Sequence, residues 1–377
     1  MAVVFLAGGG SVGHLAPGFA VREALRAAGH DAVFVTPGEA REAAWFPADD
    51  PPPLHAPAPR LPRGLVAKAL FPVRMLWAVR AARRLLKAHA PVAVLALGGW
   101  PCAPTALAAA FGKVPMHLLA TDAVPGLVVR KLARRATCVW LTDPRARAGL
   151  PEGTRTRVVG SVVRSAVTSA RRDPARFGLA EGKRTLFVVG GSLGAQGLNA
   201  RARAGLVAAV RARPGLASTL QVLHAAGTDA EADAARADYA AVGLACHVTA
   251  FIAAVGAAYQ TADLVLCRGG AGTVAELAAL RRPAVVVPYP HHADRQQFKN
   301  AEGLVAAGQA TLVEEGALDV ATFRREVVDV LLDPAALARR APAPDDRTSS
   351  VGNADGAATI AAELVRSNGT SAAGTAS

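Results

Sequence analysis

The chain has 377 residues, enough for two domains of ordinary size; 52% are hydrophobic but only 5% aromatic, so its cores must rest on Ala, Val and Leu. Its formal net charge is +13, and its four cysteines, Cys102, Cys138, Cys246 and Cys267, form no CxxC pair. That spacing argues against a structural zinc site and a secreted disulfide scaffold, and it fits a reducing compartment.

The opening MAVVFLAGGG has no basic stretch ahead of its short apolar run. It reads as a strand, Val3–Leu6, entering a glycine loop, Gly8–His14, rather than as a signal peptide. A helix is predicted over Leu15–Ala28 and a strand over Ala32–Val35. A Pro-rich connector, Pro47–Pro62, leads to a helix over Leu65–His89. That helix is the longest apolar stretch, yet Lys68, Arg74, Arg80, Arg83 and Arg84 break it well short of the roughly 18 residues of a membrane span. Further strands are predicted at Val92–Leu97, Met116–Leu119 and Cys138–Leu141. A break rich in Gly, Pro and charge spans Leu150–Arg164. A second series follows: a strand at Thr185–Val189, a glycine loop, a helix from about Ala195, and strands at Leu220–His224, His247–Ala250, Leu264–Cys267 and Ala284–Val287. Residues 340–353 read as loop, Ala354–Val365 as a last helix, and 366–377 as a disordered tail. Alternating strands and helices predict an α/β fold of two doubly wound, Rossmann-like domains with parallel sheets, the ligand lying in a cleft beyond the carboxyl ends of the strands.

Three strand-to-helix turns are rich in glycine: Gly8-Gly9-Gly10-Ser11-Val12-Gly13-His14, Gly190-Gly191-Ser192-Leu193-Gly194, and Arg268-Gly269-Gly270-Ala271-Gly272-Thr273. Glycine admits a phosphate close to the backbone, and the following helix offers free N–H groups; the plain alternative is a tight turn. None ends in the Lys-[Ser/Thr] of a nucleotide triphosphatase, and none is a clear dehydrogenase fingerprint. Glu276, one turn into the third helix, suits a ribose diol, or serves only the helix dipole. The run His291-His292-Ala293-Asp294-Arg295-Gln296-Gln297 suits a ligand made of hydroxyls, or else is a solvated helix start capped by Asp294.

Three segments, AGGGSVGHLAPGFAV, VVGGSLGAQGLN and CRGGAGTVAELAALRRPAVVVPYPHHADRQQFKNA, together resemble the MurG family of glycosyltransferase family 28. These enzymes complete the peptidoglycan lipid precursor in cell-wall biogenesis. The resemblance extends in order and spacing over nearly the whole chain. It implies a GT-B fold whose C-terminal helix returns to the N-terminal domain. It also implies inverting transfer of N-acetylglucosamine from UDP-N-acetylglucosamine to undecaprenyl-diphosphate-muramyl-pentapeptide, with no cofactor and no required metal. The implied domains are 1–160 for the acceptor and membrane, joined by helix 354–365, and 165–340 for the UDP-sugar.

Carried over by motif, Ser192, Ala271, Gly272 and Thr273 would face the donor diphosphate. Glu276 would hold the ribose, and Phe251 and Ile252 would line the uracil. Gln296 and Gln297 would hold the sugar, supported by Asn300, and Arg164 would contact the nucleotide. Ser11 and Gly13 in the first loop would cradle the acceptor diphosphate. His14 is the candidate base, or else only a helix cap. Trp100 lies near the acceptor or in the core.

Three departures from the family pattern stand out. Val12 replaces a glycine and is expected to restrict the loop. GSVVR replaces GNPVR. Leu119-Ala120-Thr121-Asp122 replaces His-Glu-Gln-Asn, so Asp122 is expected to act as a second base or as a hydroxyl acceptor. The change on the acceptor side leaves two other readings open: a related transferase acting on another lipid or small acceptor, and a non-catalytic UDP-sugar-binding relative. An epimerase of the same fold is disfavoured by the DRQQ run.

Between Pro51 and Thr121 there is no Asp or Glu. Residues 60–89 combine Leu65, Leu70, Phe71, Val73, Leu76 and Trp77 with the basic residues from Arg60 to Lys87, as a helix lying on an anionic membrane requires. The alternative is a surface helix packing Leu76 and Leu86 inward. Nucleic acid is disfavoured, for want of a recognisable module. The expected location is the cytoplasmic face of the cell membrane, as a peripheral protein.

Overall fold

Strands such as Val3–Ala7 are apolar at every position, so both faces of each sheet must be covered, and the intervening helices supply that cover. The computed structural model describes residues 1–39, 42, 46, 50–62, 64–191, 194–292, 294–341 and 356–366. Two units emerge, one of Met1–Arg164 with Asn353–Ser377, the other of Ser165–Gly352.

The first unit holds β1 (Val3–Ala7), β2 (Asp31–Thr36), β3 (Leu54–His55), β4 (Ala93–Ala96), β5 (Met116–Ala120), β6 (Cys138–Leu141) and β7 (Thr156–Val158). They form one parallel sheet in the order β3-β2-β1-β4-β5-β6-β7. Alternate residues of β1 serve opposite layers. Phe5 and Ala7 pack with Ala82, Leu86, Val94 and Ala106. Val4 and Leu6 pack with Leu15, Phe19, Leu25 and Trp140, and with Ile360 and Leu364 of the last helix, Gly356–Arg366. A Cβ on Gly356 would lie 2.8 Å from the carbonyl oxygens of both Val159 and Ser161. The GSVVR segment is therefore a seat for the last helix, and buried Val162 joins the same core.

The second unit holds β8 (Arg184–Val189), β9 (Leu220–Ala225), β10 (Cys246–Thr249), β11 (Leu264–Cys267), β12 (Ala284–Val286) and β13 (Ala310–Leu312). All are parallel, in the order β10-β9-β8-β11-β12-β13. In each unit the strand order reverses once, between β1 and β4 and between β8 and β11. Loops leaving neighbouring strands diverge there and open a crevice, which is where such sheets bind ligands.

The structure corrects several expectations. The first helix starts at Val12, so His14 lies in its first turn, not in the loop. Three short strands, β3, β7 and β13, were not predicted, and β7 lies inside the segment read as a break. The last helix runs Gly356–Arg366; most of the loop predicted at 340–353, and the tail beyond Arg366, lie outside the described residues.

Candidate functional site

Each of the three glycine loops leaves a strand at a switch point and enters a helix whose N-cap side chain makes no hydrogen bond to the helix. A first turn leaves its N–H groups without intrahelical acceptors, so an uncapped start is a ready anion site.

In the first loop, Ser11 is the N-cap of Val12–Ala27. Serine ordinarily caps with its hydroxyl. Here Ser11 Oγ is turned to His14 Nδ1, 2.9 Å away. Val12 opens the helix with ordinary backbone, so its branched side chain imposes no strain. Gly13 is exposed. Gly9 and Gly10 have φ of +144° and +80°, a region that glycine enters without penalty. A Cβ on Gly9 would lie 2.6 Å from a carboxylate oxygen of Glu42. Glu42, only 1% exposed, accepts hydrogen bonds from the backbone N–H groups of Gly10, Gly38 and Glu39. It fastens the loop after β1 to the loop after β2.

The imidazole of His14 lies against the Gly98-Gly99 turn that follows β4; a Cβ on Gly99 would be 3.1 Å from its ring. Burial lowers the His14 pKa below its ordinary value, while the charge of Asp122 and the Gly9 carbonyl pull it back up. Asp122 follows β5, two strands from β1, and the structure so brings it into electrostatic range of His14. Thr121 beside it accepts a hydrogen bond at its carbonyl from Thr142 Oγ1.

Trp100 is half-buried, and its indole N–H donates to the Pro59 carbonyl at 2.6 Å. Its ring lies 5.8 Å from that of Phe71 in the Leu65–His89 helix. Trp100 thus joins the basic helix to the turn that carries the His14 ring. In the helix only Ala78, Ala82 and Leu86 are buried. Leu65 (85% exposed), Val66 (75%), Val73 (55%) and Trp77 (66%) face outward with Leu70, and so does Leu76, which the surface-helix alternative had turned inward. Among the described residues, no helix is long and apolar enough to cross a membrane.

In the second unit, Ser192 lies outside the described residues. Gly194, at φ +72°, has room for no side chain: a Cβ would lie 2.6 Å from the Ala226 carbonyl. In the third loop Ala271, Gly272 and Thr273 form the first turn of the Ala271–Leu280 helix, with Glu276 one turn further on. Gly269 is held from both sides. Its N–H donates to Gln297 Oε1 at 3.2 Å, and its carbonyl accepts from Asn300 Nδ2 at 3.0 Å. Gln297 Oε1 also accepts from the Tyr289 N–H at 2.9 Å. Both partners are backbone donors, so the side-chain oxygen must face them. Gln297 therefore presents only its NH2 group elsewhere, and it positions the loop, a role beyond the sugar contact the sequence suggested. Gln296 is half-buried at the helix start, where its N–H bonds Asp294 Oδ1 at 3.2 Å. Arg295 just before it has φ +50°, an uncommon backbone for a non-glycine residue.

Phe251 and Ile252 differ: Phe251 is 54% exposed and Ile252 is 6% exposed. Arg164 is half-buried at the end of the first unit. The parts played by three residues near the third loop escaped the sequence reading. Arg268 is buried, pairs with Glu315, and donates to the Val287 and Pro288 carbonyls. Glu315 in turn packs against Gly197 at the start of the second glycine-loop helix. Tyr259 is buried, with its hydroxyl facing Thr273 and Glu276.

The chain matches the glycosyltransferase family 28 N-terminal domain over residues 4–141 and the glycosyltransferase family 28 C-terminal domain over 185–360. A UDP-N-acetylglucosamine--N-acetylmuramyl-(pentapeptide) pyrophosphoryl-undecaprenol N-acetylglucosamine transferase of Clavibacter sepedonicus is 37% identical over 378 residues, covering 97% of this chain and 96% of that one. The like-named protein of Idiomarina loihiensis is 37% identical over 324 residues, 84% of this chain and 87% of its own. Among solved structures, Acinetobacter baumannii MurG superposes with a TM-score of 0.70 at 25% identity, over 97% of this chain and all of that one. A UDP-N-acetylglucosamine 2-epimerase from Listeria monocytogenes reaches a TM-score of 0.69 at 15% identity over 98% and 97% of the two chains, a likeness of fold alone.

Proposed function

The chain belongs to glycosyltransferase family 28, and from that premise we propose how its residues carry out the family's reaction. It is a GT-B enzyme that transfers N-acetylglucosamine from UDP-N-acetylglucosamine to undecaprenyl-diphosphate-muramyl-pentapeptide in peptidoglycan synthesis.

The second unit takes the donor. The diphosphate lies on the uncapped helix starts after β8 and β11, with Ala271, Gly272 and Thr273 facing it. Glu276 accepts hydrogen bonds from the ribose hydroxyls, and Phe251 and Ile252 border the base. Gln296 and the Gln297 NH2 group take sugar hydroxyls. As the anomeric bond breaks, charge grows on the departing diphosphate, where helix N–H groups stabilise it most.

The first unit takes the acceptor diphosphate at Ser11 and Gly13. The new bond forms between an acceptor hydroxyl oxygen and the anomeric carbon, and the hydroxyl proton passes to His14. Burial keeps that imidazole neutral and ready to accept. Asp122 then stabilises the imidazolium, which makes it an electrostatic partner of the base. The observation that carries this assignment is Ser11 leaving its helix uncapped to hold His14.

The exposed stripe Val66, Leu70, Val73 and Trp77, spaced by three and four residues and flanked by Lys68, Arg74, Arg80 and Arg84, seats the enzyme on an anionic membrane at its cytoplasmic face. The test is UDP release from UDP-N-acetylglucosamine with and without the lipid acceptor in anionic micelles. Acceptor-dependent release that is lost in Glu276→Ala and His14→Ala supports the assignment. Donor binding without release would overturn it.

A further inference from the structure

The Ala271–Leu280 helix places Thr273 and Glu276 one turn apart, so both side chains share a face. That face meets the short Val255–Thr261 helix at Tyr259, which is 1% exposed. The Tyr259 ring stands edge-on to Phe187 of β8, with centroids 5.3 Å apart and planes at 74°. Its hydroxyl faces Glu276 and Thr273. A carboxylate can only accept, so toward Glu276 the Tyr259 hydroxyl can act only as a donor, with its own lone pairs left for the Thr273 hydroxyl. Burial, and then the Glu276 charge, hold the phenol well above its ordinary pKa, so it remains a donor at every working pH.

We propose that Tyr259 is the positioning residue of the donor site: it fixes the Glu276 carboxylate for the ribose diol and ties it to the Thr273 turn, so preference for ribo- over deoxyribonucleotide donors depends on the Tyr259 hydroxyl. The inference rests on the reading of Glu276 as the ribose contact. Glutamate has a flexible side chain, and a carboxylate held before the ligand arrives loses less freedom on binding. Since the ring of Tyr259 rests on the strand that leads into the second glycine loop, one buried side chain sets both the sugar end and the phosphate end of the nucleotide site.

The test compares binding of UDP and 2′-deoxy-UDP by the full chain and by Tyr259→Phe, Glu276→Ala and the double variant, with thermal midpoints measured alongside. Tyr259→Phe keeps the ring on Phe187 and deletes only the hydroxyl. The expected result is that Glu276→Ala abolishes the preference for UDP, that Tyr259→Phe reduces it about tenfold, the size of one lost charged hydrogen bond, and that the double variant matches Glu276→Ala. A change in folding alone would weaken both ligands equally and leave the ratio intact. A wild-type ratio in Tyr259→Phe, with the preference lost in Glu276→Ala, overturns the role of Tyr259 and leaves the ribose contact standing. A wild-type ratio in Glu276→Ala overturns the ribose contact, and the role of Tyr259 with it.

Discussion

Ser11 Oγ lies 2.9 Å from His14 Nδ1, three residues along the same turn. The contact removes a helix cap and orients an imidazole in one step. A cap is ordinarily worth about 1 kcal/mol, so its absence marks a turn arranged for the imidazole and its ligand.

His14→Ala is expected to lower kcat by about 100-fold or more, the usual weight of a positioned general base. Binding of UDP to the second unit is expected to stay unchanged. Turnover within a few fold of wild type would remove His14 from the chemistry.

Asp122→Asn tests the dyad by pH. The Asp122 charge raises the His14 pKa, so its loss lowers that pKa further. The acid limb of the pH–rate profile should therefore move to lower pH, with kcat down roughly tenfold, the equivalent of one pKa unit. An unmoved limb with unchanged turnover would show that Asp122 has no part.

Gly269→Ala is expected to abolish donor binding while leaving the first unit folded. The added Cβ would lie 2.3 Å from the Gln297 carbonyl oxygen, a backbone atom that cannot swing aside. Retained UDP affinity would show that the loop can shift without loss.

Replacing Leu70 and Trp77 by Ala removes side chains that are 46% and 66% exposed, so stability should change little. Flotation with anionic vesicles should weaken on the order of tenfold for each, following the burial of apolar side chains. Binding should also fall with salt. Vesicle binding unaffected by either change would refute the membrane seat.

His117 is buried in the middle of β5 with neither ring nitrogen hydrogen-bonded, and burial lowers its pKa to about 4. The unfolded chain binds this proton near pH 6.5 and the folded one near 4, so stability is full above pH 6.5 and is lost as pH falls through that window. His117→Leu removes two unpaired nitrogens as well as the titration. It should raise the thermal midpoint and flatten its decline between pH 6.5 and 4. An unchanged slope would assign the acid sensitivity to other groups, His224 in the second unit among them, whose pKa burial also lowers to about 4.

The largely apolar strands β1, β5, β6, β8 and β11 were legible because central parallel strands must be buried on both faces. The helix Leu65–His89 was legible to the residue, flanked by Gly64 and by Ala90, whose φ is +42°. Strands β3, β7 and β13 have two or three residues each, and β3, β7 and β13 lie at sheet edges, so they carry too little pattern to read. The glycine loops could be read as phosphate sites from composition. The residues that fasten them could not. Glu42 reaches Gly10 across 32 positions, and Arg268 reaches Glu315 across 47. Tyr259 sits in an alanine-rich stretch with no local sign of a ligand. Pairings so distant are fixed by topology, which a single sequence does not display.

The last helix, Gly356–Arg366, completes the core of the first unit after the whole second unit has intervened. During synthesis the ribosome delivers Leu15, Leu25 and Trp140 before the second unit, and their cover, Ile360 and Leu364, after it. The N-terminal unit therefore begins folding first and finishes last. A chain that stops before this helix leaves an uncovered apolar face on the first unit, and such surface is what chaperones and proteases recognise.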